Sequence, residues 1–133
     1  MPAEDVEIVR RSFELWLGGD VEGWLETLDP EIEWDISGHP LPDVPNRGRG
    51  REAFVTDVMG TYMSGWNDYS AEVKEASEAD GHVLVVIHET ASMRETGVAL
   101  DRDLVQLWTV RDGRGSLLRV FQSEEDALEA ASG

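Results

Sequence analysis

From Tyr69 to Gln122 the chain reads as strands separated by turn signals, and that stretch constrains the fold more than any other feature. Tyr69 to Ser77 alternates polar and apolar residues. His82 to Met93 is a long apolar strand, and Ala99 to Arg111 and Ser116 to Gln122 follow it. The breaks between these runs are turn signals. Asp80-Gly81 and Asp112-Gly113 accept the positive φ of a tight hairpin, and Arg94 to Gly97 reverses the chain once more. Strands joined by such short turns pair antiparallel, so this half of the chain is a four-stranded meander.

The first half has the helical period instead. Val6, Val9, Phe13 and Trp16 form one face of a helix whose first turn carries Glu4 and Asp5 and which ends at Gly18-Gly19. Asp20 caps a second, short helix that turns Val21, Trp24, Leu25 and Leu28 inward and stops at Pro30. Glu31 to Ile36 alternates, placing Ile32, Trp34 and Ile36 on one face of a strand. Ser37 to Gly50 holds three prolines and three glycines and reads as a loop, long enough to suggest a functional role. From Arg51 a third helix carries Phe54, Val58, Tyr62 and Trp66 as one stripe, with Val55, Met59 and Met63 beside it. Ser123 with Asp126 makes a capping box for a final helix, Glu124 to Ala131. Helices, one strand, a helix and then a meander make an α+β domain, expected to be single over residues 1–133.

Charge removes several function classes. The chain has 28 acidic residues against 11 Lys and Arg, a formal charge of −17. A field of that sign repels phosphate, so neither nucleic acid nor an anionic membrane is an expected partner. Arg47, Arg49 and Arg51 form the one local basic cluster, too short to reverse the field. With no cysteine, thiol chemistry is absent. The acidic N-terminus lacks the features of a secretory signal, no apolar run approaches membrane length, and the expected location is cytoplasmic.

Several stretches resemble the nuclear transport factor 2-like superfamily. Gly19-Asp20-Val21-Glu22-Gly23-Trp24 looks like its junction between helices one and two, and Asp29 to Trp34 like the opening of its first strand. Gly50-Arg51-Glu52-Ala53-Phe54 is similar to the start of its third helix. Leu107 to Gly113 with Arg119-Val120-Phe121 resembles its closing hairpin, and Asp126 to Ala130 its tail. The order of these motifs points to the SnoaL-like polyketide cyclase and ketosteroid isomerase-like branch. The resemblance implies a cone-shaped, curved and mostly antiparallel sheet wrapped around three leading helices, a cavity open at one end, and a homodimer. It leaves the chemistry open, because one fold hosts many functions.

Residue by residue, the isomerase set is missing. Its base position falls on Trp34 or Asp35, its tyrosine position near Ser12, and its acid position near Gln106, which still donates a hydrogen bond to a carbonyl. Asp101-Arg102-Asp103 resembles the Asp-Arg-Asp set of related epoxide hydrolases. Strand residues alternate faces, so Arg102 points away from both aspartates, and the expectation is a solvated, charged strand end. A cyclase-like base could be Asp35, His39, His88 or Glu89. The face of Val83, Val85, Ile87 and Glu89 is the more apolar and is expected inside, where desolvation equips a carboxylate for acid or base work. A structural partner for Glu89 is the competing reading. His88 then lies on the outer face, and His39 could reach the cavity mouth.

No metal-ligand spacing joins His39, His82 and His88, and no nucleotide or cofactor fingerprint occurs, so neither metal nor cofactor is expected. The five tryptophans are more informative. Trp24, Trp34, Trp66 and Trp108, with Tyr62, are expected to face inward around a flat apolar ligand. The candidate site is thus Glu89 and Asp35 for acid-base chemistry, with Trp34, His39, Tyr62, Trp66, Gln106, Trp108 and Phe121 around a hydrophobic small molecule. The chemistry expected is an isomerase, cyclase or dehydratase step. A binding or dimerisation module without chemistry is the alternative, with Val105, Leu107 and Thr109 on the outer face as the dimer surface.

Overall fold

The structure, a computed structural model, describes residues 2–41 and 43–133. Helix α1 (Pro2–Leu17) buries Val9 and Phe13 and ends at Gly19, whose φ of 83° suits a residue without a Cβ. Asp20 caps α2 (Val21–Glu26), its Oδ1 accepting from the Gly23 N–H at 2.9 Å. Trp24 turns inward as expected, but Val21 is exposed and Leu28 belongs to the following strand rather than to the helix.

Strand β1 (Leu28–Asp35) therefore starts three residues earlier than its alternation indicates, and Pro30 sits inside it. Pro30 is tolerated because pairing is interrupted there: the register with its neighbour shifts between Leu28 and Glu33. The loop expected over 37–50 is also corrected in part. Its end forms β2 (Arg47–Arg49), paired antiparallel with β1. Gly48 makes that pairing possible, because a Cβ at this position would lie 2.2 Å from the Trp34 ring.

The third helical stretch is not one regular helix. It runs α3 (Arg51–Ala53), a π-helical segment Phe54–Gly60, and α4 (Thr61–Ser64). Strands β3 (Trp66–Ala79), β4 (His82–Met93), β5 (Ala99–Arg111) and β6 (Arg114–Phe121) then form the meander. Both Asp-Gly turns adopt positive φ at both residues, as a two-residue hairpin requires. The sheet order is β2-β1-β6-β5-β4-β3, with only β1 and β6 parallel. Register shifts in β3 and between β5 and β6 mark the bulges that bend it.

The two faces of this sheet carry separate cores. Val83, Val85 and Ile87 of β4 pack inward with Phe13, Trp24, Phe54 and Trp108. Leu84 and Val86 pack outward with Val105, Leu107, Ala127 and Ala131. The last two belong to helix α5 (Glu124–Ser132), capped by Ser123 Oγ. Val105 and Leu107 are thus covered by the chain's own C-terminal helix, which corrects their reading as an open dimer surface.

Candidate active site in the sheet–helix cavity

Between the inner sheet face and the helices lies a cavity of about 60 Å³. On a scale where one water needs about 10–15 Å³, it accommodates a few waters or a small ring. The sheet contributes Ile87, Glu89, Leu104, Gln106, Trp108, Leu118 and Val120. Helices α1 and α2 add Ser12, Phe13, Trp16 and Trp24, and the third helical stretch adds Phe54, Val58, Met59 and Tyr62. Ile36, Leu41 and Tyr69 complete the wall. Nearly all of this surface is hydrocarbon, so the few polar groups determine what it can recognise.

Glu89 is the most demanding of them. Alternation along β4 carries it inward, and its side chain is 1% exposed. A carboxylate there costs several kcal/mol unless donors surround it, and three residues supply them. Tyr62 Oη donates to the carboxylate, 2.9 and 3.1 Å from its two oxygens. Tyr69 Oη donates to Oε2, and Arg102 Nε donates to Oε1 at 3.2 Å. Arg102 Nη2 also donates to Tyr62 Oη at 2.6 Å, closing the network. Burial raises both phenol pKa values far above the ordinary range, and the Glu89 charge adds to the effect. Both tyrosines thus remain neutral donors. Burial works against the Arg102 charge, but Tyr62 and Glu89 outweigh it and raise its pKa.

Gln106 is the second polar feature. Its Oε1 accepts from Trp108 Nε1 at 2.8 Å. An indole N–H only donates, so the contact fixes which way the amide points. The Nε2 amino group, without a partner among the described residues, is left as a donor at the cavity wall. Gln106 pairs with Val85 on β4, four residues from Glu89. At about 3.3 Å per residue the two polar groups are about 13 Å apart along the strand, with Ile87 and Leu104 between them.

The structure brings together four of the expected site residues: Glu89, Tyr62, Gln106 and Trp108. It places the others off the cavity wall. Trp34 is buried, but it packs on Phe54 with ring centroids 6.0 Å apart and donates Nε1 to the Pro45 carbonyl. Asp35 faces the sheet edge, bonded to Ser37 and paired with Arg47 at 3.3 Å. Its partial burial pushes the carboxyl pKa up, but the Ser37 hydrogen bonds and Arg47 more than reverse this, and the net shift is downward. His39 closes a turn on the Ile36 carbonyl. Trp66 stands edge-on to Tyr62 at 5.8 Å, behind the wall rather than in it. Phe121 joins the outer core under α5.

Arg102 and Tyr69 were not among the expected site residues. Arg102 does point away from Asp101 and Asp103, as alternation requires, but it is an inward partner of Glu89 rather than part of a solvated strand end. The signal lay in the hairpin: counting back from the Arg94–Gly97 turn, position 89 meets position 102. Tyr69 gave no comparable signal, because a bulge between Asn67 and Ser70 sets its direction.

The model of the SnoaL-like domain matches residues 9–116, most of the chain. The chain belongs to the SnoaL-like domain family. The uncharacterized protein Rv0034 of Mycobacterium tuberculosis (strain ATCC 25618 / H37Rv) is 28% identical over 128 residues, 95% of this chain and 94% of that protein. Among solved structures, an NTF2-like protein from Burkholderia xenovorans LB400 is 26% identical with a TM-score of 0.72, covering 100% of this chain and 98% of that one. TerC, co-crystallized with polyporic acid, has a TM-score of 0.74 at 18% identity, covering 98% and 99%. This SnoaL-like chain therefore has the NTF2-like α+β fold. No helix among its described residues is long and apolar enough to cross a membrane.

Proposed function

We propose that this SnoaL-like chain binds a small, mostly apolar molecule in the sheet–helix cavity and moves a proton on it, as an isomerase, cyclase or dehydratase does. The observation that carries this reading is the Glu89 carboxylate, 1% exposed on a hydrocarbon wall and held by two phenols and a guanidinium. Among the described residues it is the only carboxylate that lines the cavity. Tyr62 and Tyr69 stay neutral and supply hydrogen bonds where negative charge develops. Arg102 positions the carboxylate. Gln106 Nε2 supports a ligand carbonyl or similar acceptor at the opposite end, with Trp108 orienting it. A solved neighbour of the same fold was crystallised with polyporic acid, in keeping with a small-molecule ligand.

The test uses neutral aryl ketones with exchangeable α-protons. Thermal stabilisation should identify binders, since a ligand of the folded state raises its apparent stability. NMR should then show the bound ketone exchanging its α-protons with deuterated water. Glu89→Gln should abolish the exchange and retain binding. Exchange that survives in Glu89→Gln would remove Glu89 from the mechanism.

A second reading, binding without chemistry, is favoured by one specific observation. The acceptor positions of Glu89 are already occupied by donors from its own chain. Ligand stabilisation with no proton exchange in the parent chain would select it. Either reading keeps a second copy of the chain as a partner, and a monomer in sedimentation at micromolar concentration would count against that.

A further inference from the structure

The third helical stretch meets the cavity through a π turn, and the spacing of its two anchors shows what that turn accomplishes. Phe54 is buried against Trp24 and Trp34, with ring centroids 6.4 and 6.0 Å away. Tyr62 is buried with its hydroxyl on Glu89 and Arg102. The anchors are eight positions apart. In an unbroken α-helix, residues eight apart lie about 80° past two full turns and do not share a face squarely. The π segment Phe54–Gly60, with its wider i→i+5 turns, returns Phe54, Val58 and Tyr62 to one row, and all three line the cavity.

Seven α-helical steps would align the same anchors, falling only about 20° short of two turns. The segment therefore carries one residue more than its anchors need. That surplus lies within Phe54–Gly60, the segment that bears Val58 and Met59. Such π insertions are frequent at functional sites.

We propose that this one-residue surplus is a specificity element. It sets the contour of the cavity wall at Val58 and Met59, separately from the Glu89 cluster, and thereby decides the size of flat ligand the cavity admits. The inference rests on the ligand cavity proposed above but not on proton transfer within it.

Deleting Asp57, an exposed residue of the π segment, tests it. The stretch should close into an α-helix with both anchors in place. The chain has two tyrosines, and both belong to the cluster, so an ultraviolet absorbance titration reads the cluster directly. In the deletion variant both phenols should stay shielded while the protein is folded. Its relative affinities for benzene, naphthalene and phenanthrene, followed by thermal shift, should change by about tenfold, the effect of a small change in an apolar pocket. A phenol that ionises near the ordinary value in the folded variant would overturn the proposal, as would a variant that does not fold.

A second comparison leaves the helix length intact. Met59→Ala should shift the ranking of the three arenes, whereas Leu41→Ala, on another part of the wall, should not. Equal shifts from both would overturn the assignment. A parent chain that binds no arene sinks the cavity reading together with this inference. A parent whose ranking ignores both the deletion and Met59→Ala sinks this inference alone.

Discussion

Strands β4 and β5 carry an ion-pair cluster on each face, built from adjacent residues, and the two clusters differ in nearly every physical respect. Inside, Glu89 faces Arg102 at 3.2 Å with two phenols completing the carboxylate's shell. Outside, His88 lies between Asp101 and Asp103 at 2.9 and 2.7 Å, and Lys74 reaches Asp103 at 2.9 Å. Among the charged pairs the outer ones are the shorter, 2.7 to 2.9 Å against 3.2 Å for Arg102 and Glu89. They are nevertheless the weaker, because water and salt screen exposed charges and long side chains lose entropy in holding one geometry. The inner contacts carry more weight because removing any partner leaves a polar group in hydrocarbon. Burial ranks these clusters, and distance does not.

The comparison breaks most readily at Arg102. Arg102→Met should lower the unfolding free energy by about 3 kcal/mol, since breaking a buried pair strands its other charge. The value is placed at the low end of that range because the Arg102 side chain is 29% exposed. Urea unfolding measures it, and a loss no larger than that from Asp103→Asn on the outer face would erase the distinction. Tyr62→Phe should follow, at about 1.5–3 kcal/mol for a lost hydrogen bond to a charged group. A double-mutant cycle with Arg102→Met should show the two as non-additive.

The phenols sharpen the same contrast through pH. Burial and Glu89 raise their pKa values in the folded state above the unfolded value. Their stabilising contribution is therefore complete below about pH 10 and is lost as pH rises beyond it. The phenolate absorbance should appear together with unfolding, and ionisation that precedes unfolding would show an open cluster. The smallest effect belongs to His88. Its hydrogen bond to Asp103 is the largest influence and raises its pKa, with both aspartates adding to it. Its contribution is present below about pH 6.5 and fades as pH rises through the elevated value. Proton NMR of His88 should show a midpoint above the ordinary one, moving down in Asp103→Asn and with added salt.

Much of the fold was legible because it follows from local rules. The Asp-Gly turns, the Ser123 cap and the inward row ending at Glu89 depend on neighbours a few residues away. The strict four-residue spacing of Phe54, Val58 and Tyr62 was legible too, but as a stripe. A straight α-helix drifts about 40° with each such step, which a broad apolar face tolerates, so the spacing did not disclose the π turn. β2 was hidden because three residues between prolines and glycines carry no period. Trp34, Trp66 and Phe121 were rightly seen as apolar, yet apolarity does not say whether a ring borders a hollow or fills the layer behind it.

The alternation of residues along β4 and β5 determined by itself that Glu89 and His88 would lie on opposite faces, and Arg102 opposite its two flanking aspartates, because a pleated strand has only two sides. What surrounds Glu89 was decided by the tertiary structure. Arg102 arrives through strand register, Tyr62 through a helix with one residue to spare, and Tyr69 through a bulge. Each of those contacts spans at least 13 residues of chain, and a pattern read over a few neighbours has no access to such distances.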